Sequence, residues 1–191
     1  MKVSKRLALG ASAVTALGIT IPVLADPGHP AGGSLDGLHC TSDTTGQPMD
    51  GTIQYSPTTI WPPNHKMQNI TINYTDNDND GGATGEMIGI QATSITDNQT
   101  TGGVEAPGSG NTGTDWSLGT PGTASDPGVA TTTPQVRSER SGSDGSRIYT
   151  ITVRCTESGG LENVNPNTND PTTDTGTATL TVTVPHDQGH R

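Results

Sequence analysis

Two segments near the end of the chain alternate apolar and polar side chains residue by residue. In the first, the apolar positions are Tyr149, Ile151, Val153 and Cys155. In the second, threonines separate Ala178, Leu180, Val182 and Val184. Successive side chains of a β-strand point to opposite faces of the sheet, so this period of two predicts strands with one buried and one solvated face. Threonine suits the solvated face because its branched side chain fits a pleated surface.

Shorter segments with related patterns bring the expected number of strands to about seven. They lie at residues 53–55, 69–74, 88–92, 116–118 and 131–138. Only 28% of the residues are hydrophobic, and the 26 glycines and 14 prolines favour turns over helices. These counts exclude a helical bundle and a large core. The sequence therefore predicts an all-β fold, an antiparallel β-sandwich with long polar loops.

The first 25 residues have the pattern of a secretory signal peptide. Lys2, Lys5 and Arg6 precede a mostly apolar stretch, and Val23-Leu24-Ala25 fits a cleavage site. A membrane anchor is the alternative, but the stretch is short and is interrupted by glycine, threonine and proline, whereas a span needs ~20 apolar residues. We expect residues 1–25 to be a signal peptide, residues 26–50 a flexible linker and residues 51–189 the folded domain. The chain would then be secreted or held on the cell surface, with no stable membrane span after cleavage.

Export would affect the state of the cysteines, and the net charge limits the kinds of partner. The chain has two cysteines, Cys40 and Cys155, and an oxidising compartment favours a disulfide between them over two free thiols. The formal net charge is −10. An acidic surface repels phosphates and anionic lipid, so nucleic acid is excluded as a partner.

Three segments, taken in order, resemble a known family. They are Ile60-Trp61-Pro62-Pro63-Asn64-His65-Lys66-Met67, the pair 137–142 and 147–153, and the segment 182–189. Together they resemble the immunoglobulin-like β-sandwich modules of secreted and cell-surface bacterial proteins, related to the HYR and PKD-like repeats. The resemblance covers about residues 50–189 and implies an immunoglobulin-like sandwich outside the cell. It transfers no catalytic residue.

Numbering seven antiparallel strands on such a sandwich places each motif at one end. Cys40 and Cys155 fall at the same end, which permits the disulfide. The opposite end gathers a structural motif composed of Trp61, Pro62, Pro63, Asn64, His65, His186 and Asp187. We expect the prolines to fix the backbone entering a strand, Trp61 to cover the open end of the core, and His65 to bond the departing strand. A zinc site formed by the histidines and Asp187 is the alternative, although their spacing matches no strong zinc signature.

An acidic segment at the cysteine end is a candidate calcium site. Asp76, Asp78 and Asp80 alternate with asparagines before Gly81, as in the opening of a calcium-binding loop. The twelfth position is Met87, so the segment is not an EF-hand. Carboxylates of the facing loop 157–176 would complete the oxygen shell, from Glu162, Asp170 and Asp174. The alternative is a solvated Asp/Asn/Gly turn, so Ca²⁺ is a candidate ion and no cofactor is certain.

The remaining polar residues do not indicate catalysis. No G-x-S-x-G motif is present, and the carboxylates cluster in segments expected to be solvated turns. Four arginines, at 137, 140, 147 and 154, are expected to pair with carboxylates, and an anion-binding stripe is the alternative. The sequence thus favours a structural or adhesion module without catalytic activity. The alternative is an extracellular carbohydrate- or protein-binding module, stabilised by calcium, that uses exposed aromatic side chains; its partner would be an extracellular protein or glycan.

Overall fold

The structure is a computed structural model that describes residues 37–76, 86–99, 115–125, 127–139, 145–159 and 173–186. These residues form eleven β-strands, and none of them is helical. The strands are β1 (Thr41–Ser42), β2 (Thr52–Ser56), β3 (Met67–Asn69), β4 (Thr71–Thr75), β5 (Met87–Asp97), β6 (Trp116–Ser117), β7 (Gly122–Ser125), β8 (Val129–Thr132), β9 (Gln135–Arg137), β10 (Arg147–Ser158) and β11 (Thr173–Val184). Within these ranges no helix is suited to crossing a bilayer.

One layer is a five-stranded antiparallel sheet in the order β1-β11-β10-β5-β7. Its centre is the long pair β10–β11, which stays in register from Arg147 opposite Val184 to Ser158 opposite Thr173. The inward side chains of the two strands are buried, while the threonines between them face outward. Both predicted alternations are confirmed. The strands also run further than predicted, because β10 ends and β11 begins inside the segment 157–176 that was expected to be a loop.

The other layer consists of two three-stranded sheets, β2-β4-β8 and β3-β9-β6. A single residue, Ile70, separates β3 from β4, and Thr133 and Pro134 separate β8 from β9. Proline has no N–H group and cannot donate to a sheet ladder. The ladder resumes through the Ile70 N–H, which donates to the Pro134 carbonyl at 2.8 Å. Strands β3 and β4 are therefore consecutive stretches of one chain segment, and β8 and β9 are consecutive stretches of another. These two segments run side by side through both sheets.

A thin core lies between the layers. Its buried residues form a single cluster in which isoleucine is prominent and Tyr74 and Tyr149 are the aromatic members. The fully buried isoleucines include Ile70, Ile72 and Ile151. Branched aliphatic side chains pack well on pleated surfaces, which is how a chain without phenylalanine still fills a sandwich. Together with the antiparallel sheets, this core confirms the all-β, sandwich-like fold.

Strand β5 is longer than its sequence pattern predicts because it contains a β-bulge. Ala92 pairs with Val153 and Ser94 pairs with Thr152, so Thr93 is an extra residue on this strand. A bulge shifts the phase of the alternation by one residue. Even-numbered residues face the core before Thr93, and the odd-numbered Ile95 faces it afterwards. The predicted strand at 88–92 is confirmed, but the pattern conceals its continuation to Asp97.

The predicted flexible linker over residues 26–50 is wrong for residues 37–50. Strand β1 pairs with β11, with Thr41 opposite Thr177. Cys40 is 0% exposed and Met49 3% exposed, so both belong to the core. The Gly- and Asp-rich composition of this segment reflects a tight turn, in which the Gly46 N–H donates to the Ser42 carbonyl at 3.0 Å. Residues 26–36 lie outside the described part of the chain.

Candidate functional site

Trp61 has the most exposed large apolar side chain among the described residues, at 53%. It lies in the connection between β2 and β3, and residues 61–66 of that connection are called the Trp61 loop below. On its N-terminal side the chain is held to β11. The Ile60 N–H donates to the Thr183 carbonyl, and the Thr183 N–H donates to the Thr58 carbonyl, both at 2.9 Å. The loop therefore starts from a fixed point on the five-stranded sheet.

The C-terminal side of the Trp61 loop is held by Ser138, the fully buried residue that follows β9. The His65 N–H donates to the Ser138 carbonyl at 2.9 Å, and the Ser138 N–H donates to the Lys66 carbonyl at 2.8 Å. The Ser138 hydroxyl donates to the Pro62 carbonyl at 2.8 Å. One serine thus makes three hydrogen bonds to the loop and ties it to the second layer.

The structure differs from the prediction for Trp61. Trp61 does not cover the open end of the core, because the buried side chain at this point belongs to Ile60, which is 5% exposed. The His65 N–H donates to the Ser138 carbonyl, because β3 pairs with β9 and the loop continues that pairing by one residue. The predicted bond from His65 to the segment after β11 falls partly on residues 187–191, outside the described part of the chain. The prolines do precede a strand as predicted, with Pro62 exposed and Pro63 half-buried.

The other members of the motif make no hydrogen bond to Ser138 in the described structure, or they lie outside the described residues. The Asn64 side chain closes the turn by accepting from the Lys66 N–H at 3.1 Å. The His186 N–H donates to the Ser146 hydroxyl at 3.0 Å. Asp187 lies outside the described residues. Within the described ranges, His, Cys, Asp and Glu side chains form no group of three that could hold a metal ion, so the zinc alternative gains no support.

Beside the Trp61 loop lies a series of contacts between polar and charged side chains. The His65 Nδ1 atom is 3.3 Å from a carboxylate oxygen of Glu139, and the Arg137 Nε atom is 3.8 Å from the same oxygen. Arg137 also contacts Asp115 at 3.1 Å and donates to the His65 carbonyl at 2.9 Å. The His65 side chain is 49% exposed, whereas that of Glu139 is fully buried. The contacts therefore run from solvent into the protein.

The inner end of these contacts is Arg147, which is only 1% exposed. Its guanidinium contacts Asp97 at 2.8 Å and Asp115 at 2.5 Å. Burial by itself lowers the pKa of Arg147, but the hydrogen bonds to the two carboxylates outweigh it and raise the pKa above its ordinary value. The guanidinium carbon also lies 5.0 Å from the centre of the Tyr149 ring, a cation–π distance. Arg147 is thus a permanently charged, buried cation.

The predicted pairing of arginines with carboxylates is confirmed for three of the four. Arg137 and Arg147 make the contacts above, and Arg154 lies 3.4 Å from Asp43. Arg140 lies outside the described residues. Of the three, Arg147 is buried, at 1% exposed. Asp97, Asp115 and Glu139 are also buried, so the expectation that carboxylates stay in solvated turns is wrong for them.

The opposite end of β10 carries a buried acid, Glu157, which is 7% exposed. The Tyr74 hydroxyl donates to it across the two layers. Burial raises the pKa of Glu157 from an ordinary 4.5 to about 7, although the hydrogen bonds from Tyr74 and the Gly51 backbone lower it. Burial, with the nearby Glu157, also raises the pKa of Tyr74. Burial therefore favours the neutral, protonated forms of Glu157 and Tyr74, whereas Arg147 stays charged beside its carboxylates.

Gly51 joins the Glu157 pair to the N-terminal segment. A Cβ atom on Gly51 would lie 2.3 Å from the Tyr74 ring, so any side chain there would displace the phenol. The Gly51 carbonyl lies 2.9 Å from the His39 Nδ1 atom, and the Met49 carbonyl lies 3.1 Å from it. The His39 side chain therefore connects residues 37–40 to the turn that precedes β2.

The predicted disulfide between Cys40 and Cys155 is confirmed. Both cysteines are 0% exposed, and the bond closes a separation of 115 residues. It joins the segment before β1 to the inward face of β10, two residues from Glu157. The disulfide therefore belongs to the Glu157 end of the sandwich, as the numbering of seven strands predicted.

The candidate calcium site falls largely outside the description. Asp78 and Asp80 lie beyond the described residues, as do Glu162 and Asp170, and Asp76 follows the end of β4. Asp174 is in β11, where its carboxylate accepts from the Ser42 hydroxyl at 3.0 Å. Asp76 lies close enough to Glu157 to raise the pKa of its carboxyl. Calcium binding remains a prediction.

The sequence interpretation missed the residues that carry the buried charge. The alternation of Tyr149, Ile151, Val153 and Cys155, extended one step each way, arrives at Arg147 and Glu157. This extension is a usable signal, although the rule that charged side chains are almost never fully buried unless paired argues against it. Asp97 and Asp115 have no such signal in the sequence. Asp97 follows the bulge in β5, which shifts the alternation, and Asp115 precedes β6, which is only two residues long.

The site as a whole combines an exposed aromatic loop with a buried ionic support. Trp61 is exposed, and Ser138, Arg137 and Glu139 hold its loop to the sandwich. Comparison of the chain with protein-family models, with curated proteins and with solved structures finds no significant match.

Proposed function

We propose that this chain is a secreted or cell-surface structural or adhesion module without catalytic activity. The observation that carries the proposal is the buried disulfide between Cys40 and Cys155. Disulfides persist in oxidising compartments and are rare where thiols are kept reduced. A cross-link inside the core therefore suits an exported protein, in agreement with the predicted signal peptide at residues 1–25.

The arrangement of the strands and of the buried acids also supports a structural role. The orders β2-β4-β8 and β11-β10-β5 fit an immunoglobulin-like sandwich, the fold that the sequence resemblance implies. Asp97 and Asp115 are held by Arg147. Glu157, whose pKa is suited to proton transfer near neutrality, is buried under Tyr74 and not offered to a substrate. These groups support the fold.

Export and oxidation can be tested together in a bacterial host. The full chain is compared with a variant that lacks residues 1–25, and alkylation of thiols is read by mass spectrometry after denaturation. We expect the full chain outside the cytoplasm, shortened at its N-terminus and without alkylated cysteine. The truncated variant should stay in the cytoplasm with two alkylated thiols. Retention of the full chain in the cytoplasm with two free thiols would contradict the proposal.

A second candidate function is binding of an extracellular glycan or protein through the Trp61 loop. The observation that favours it is the 53% exposure of Trp61 on a loop held at both ends. Aromatic rings offer a large apolar face at low cost in conformational entropy, and a rigid loop loses little freedom on binding. The net charge of −10 disfavours polyanions, so a neutral glycan is the expected partner class among polysaccharides.

Binding is tested with cellulose, chitin and xylan as neutral polysaccharides and with gelatin as a protein probe. The matched control for Trp61→Ala is Val129→Ala, since Val129 is 50% exposed on β8. We expect retention on at least one probe that is lost in Trp61→Ala and kept in Val129→Ala. Equal retention of all three proteins would remove Trp61 from any binding role. Repeating the measurement and thermal melting with calcium or a chelator tests the predicted calcium stabilisation.

A further inference from the structure

We propose that the outward face of the five-stranded sheet carries a binding subsite for one sugar unit of a neutral glycan, centred on Gly89. The subsite is a shallow depression of about 90 Å³, lined by residues of β5, β7 and β10 and by Pro121. None of its lining residues belongs to the Trp61 loop. The inference therefore goes beyond the proposed function, because it adds a second site that does not depend on binding at Trp61.

A missing side chain creates the depression. Gly89 pairs with Thr156 on β10 and with Thr123 on β7, so the three residues form one row across the sheet. The sequence neighbours of Thr156, which are Cys155 and Glu157, face the core, so the row lies on the outward face. Gly89 does not adopt a left-handed φ and lies away from the bulge in β5. A glycine inside a strand often marks a place where another group approaches closely.

The polar groups around the depression are held in place by the sheet. A Cβ atom on Gly89 would lie 2.4 Å from the Thr156 hydroxyl oxygen, so this hydroxyl takes the space that a side chain would need. The Arg154 Nη2 atom donates to the Thr175 hydroxyl at 2.9 Å and lies 3.4 Å from the Asp43 carboxylate. Within the described residues both contacts use this one nitrogen of a side chain that is 45% exposed. Other N–H donors of the guanidinium are therefore left for a ligand.

The charges favour a neutral ligand over an anion. The Asp43 carboxylate offsets the Arg154 guanidinium, and the Thr175 hydroxyl donates to that carboxylate at 3.0 Å. The net charge of −10 also repels anions. The lining then offers hydrogen-bond donors and acceptors, from the guanidinium, the Thr156 hydroxyl and the Gln91 amide. Sugar hydroxyls likewise both donate and accept hydrogen bonds, so a neutral sugar matches these groups.

The size of the depression limits what enters it. Pockets for drug-sized ligands measure about 300–1,000 Å³, so a depression of about 90 Å³ accepts one substituent or one edge of a sugar ring. Its lining includes the apolar residues Ile90, Pro121 and Gly122, which suit the C–H face of a sugar. A Cβ atom on Gly122 would lie 1.9 Å from the Thr131 carbonyl oxygen, so this wall is packed closely against β8. Further sugar units would lie along the outward face of β10 and β11.

The subsite is tested by NMR titration of the folded, isotope-labelled protein with two neutral oligosaccharides, cellotetraose and chitotetraose. We expect at least one of them to shift the amide signals of Gly89, Thr123 and Thr156. Thr156→Val removes the hydroxyl while keeping the shape of the side chain, and should weaken this binding about two- to tenfold, the effect of losing one hydrogen bond. Thr152→Val is the matched control, because Thr152 is also half-buried on the outward face of β10 but does not line the depression. It should bind as the wild type does.

Trp61→Ala separates the subsite from the proposed binding through the Trp61 loop. In this variant the shifts of Gly89 and Thr156 should persist with unchanged affinity, whatever happens to its retention on cellulose or chitin. Absence of these shifts in the wild type with both oligosaccharides would overturn the subsite, as would equal affinities of the wild type and Thr156→Val. Shifts that disappear in Trp61→Ala would also overturn it. Loss of retention with the shifts kept bears on the proposed function alone.

Discussion

At one end of β10 the inward-facing Arg147 lies between Asp97 and Asp115, and at the other end the inward-facing Glu157 meets the hydroxyl of Tyr74. Both charged side chains belong to the row that also supplies the centre of the core. The first end keeps its charge because carboxylates of opposite sign surround the guanidinium. The second end has no described cation against its acid, and burial raises the pKa of Glu157 to about 7.

The difference shows two ways in which the end of a thin core accommodates an ionisable side chain. Burying an ion is costly unless it is paired and hydrogen-bonded, and an acid without a cation can instead become neutral. The Arg147 end should therefore contribute the same stability over the neutral range of pH. The Glu157 end should contribute a stability that depends on pH. The predictions below separate the two ends.

The largest effect is expected for Arg147→Met. The change leaves Asp97 and Asp115 buried without their shared cation, which should cost about 3–5 kcal/mol in the free energy of unfolding measured with urea. Arg154→Met is the matched control. The ion pair of Arg154 with Asp43 is exposed on both sides, so its loss should cost only about 0–1 kcal/mol. Equal losses in the two variants would contradict the structural role of the buried pair.

Removing the disulfide should weaken the Glu157 end selectively. A bond that closes 115 residues is expected to stabilise the fold by about 4 kcal/mol, so Cys40→Ala/Cys155→Ala should lower the free energy of unfolding by about that amount. In hydrogen exchange, the Met49 amide, which donates to the Cys40 carbonyl, should lose more protection than the Arg137 amide, which donates to the Asp115 carbonyl. A uniform loss at both ends would mean that they open as one unit.

Glu157→Gln should remove a dependence of stability on pH. The carboxyl has a pKa of about 7 in the folded protein and about 4.5 when unfolded, so between these values the folded state holds a proton that the unfolded state has lost. Stability should therefore be fully present below pH 4.5 and fall by up to about 3 kcal/mol as pH rises to 7 and beyond.

The glutamine variant cannot ionise, so it should lack this fall and be more stable than the wild type at pH 8. The measurement is urea unfolding at several pH values. Asp43→Asn, which removes an exposed carboxylate, is the control and should keep the wild-type dependence. A wild-type stability that rises between pH 4.5 and 8, with the same slope in Glu157→Gln, would show that Glu157 is ionised in the folded protein throughout.

The smallest effects compare the two buried tyrosines. Tyr149→Phe removes a hydrogen bond to the Arg137 carbonyl at 2.8 Å and should cost about 1 kcal/mol at any pH between 5 and 8. Tyr74→Phe removes the donor to Glu157, so its cost should be larger at pH 8, where the carboxylate is ionised, than at pH 5. Unfolding by urea at the two pH values measures both. A cost for Tyr74→Phe that is the same at pH 5 and pH 8 would contradict the difference between the ends.

Much of the fold was predictable because the alternation is local. The pattern around Ile151 and Leu180 is unbroken, and both strands are where it predicts them. Where the alternation is interrupted, prediction stopped short: the bulge at Thr93 hides the second half of β5. The two-residue strand β1 is too short to show a period, so the composition of its segment predicts a linker.

The candidate site was less predictable, because its members come from distant parts of the chain. The exposure of Trp61 depends on Ile60 occupying the position under the loop, and nothing in the sequence decides which of two adjacent apolar residues faces inward. The partner of His65 depends on β3 pairing with β9 and not on any contact near it in sequence. The disulfide was predictable for a different reason: only two cysteines are present, so only one pairing exists.

By itself the sequence determined the class of fold, the outer threonine faces, the pairing of the cysteines and the acidic surface. These follow from residue type and from a period of two, which act over a few neighbouring residues. Only the tertiary structure decided that Arg147 and Glu157 end the inward row of β10 as buried groups. The cost of burying a charge depends on the groups brought against it, and Asp97, Asp115 and Tyr74 arrive there only through the packing of the strands.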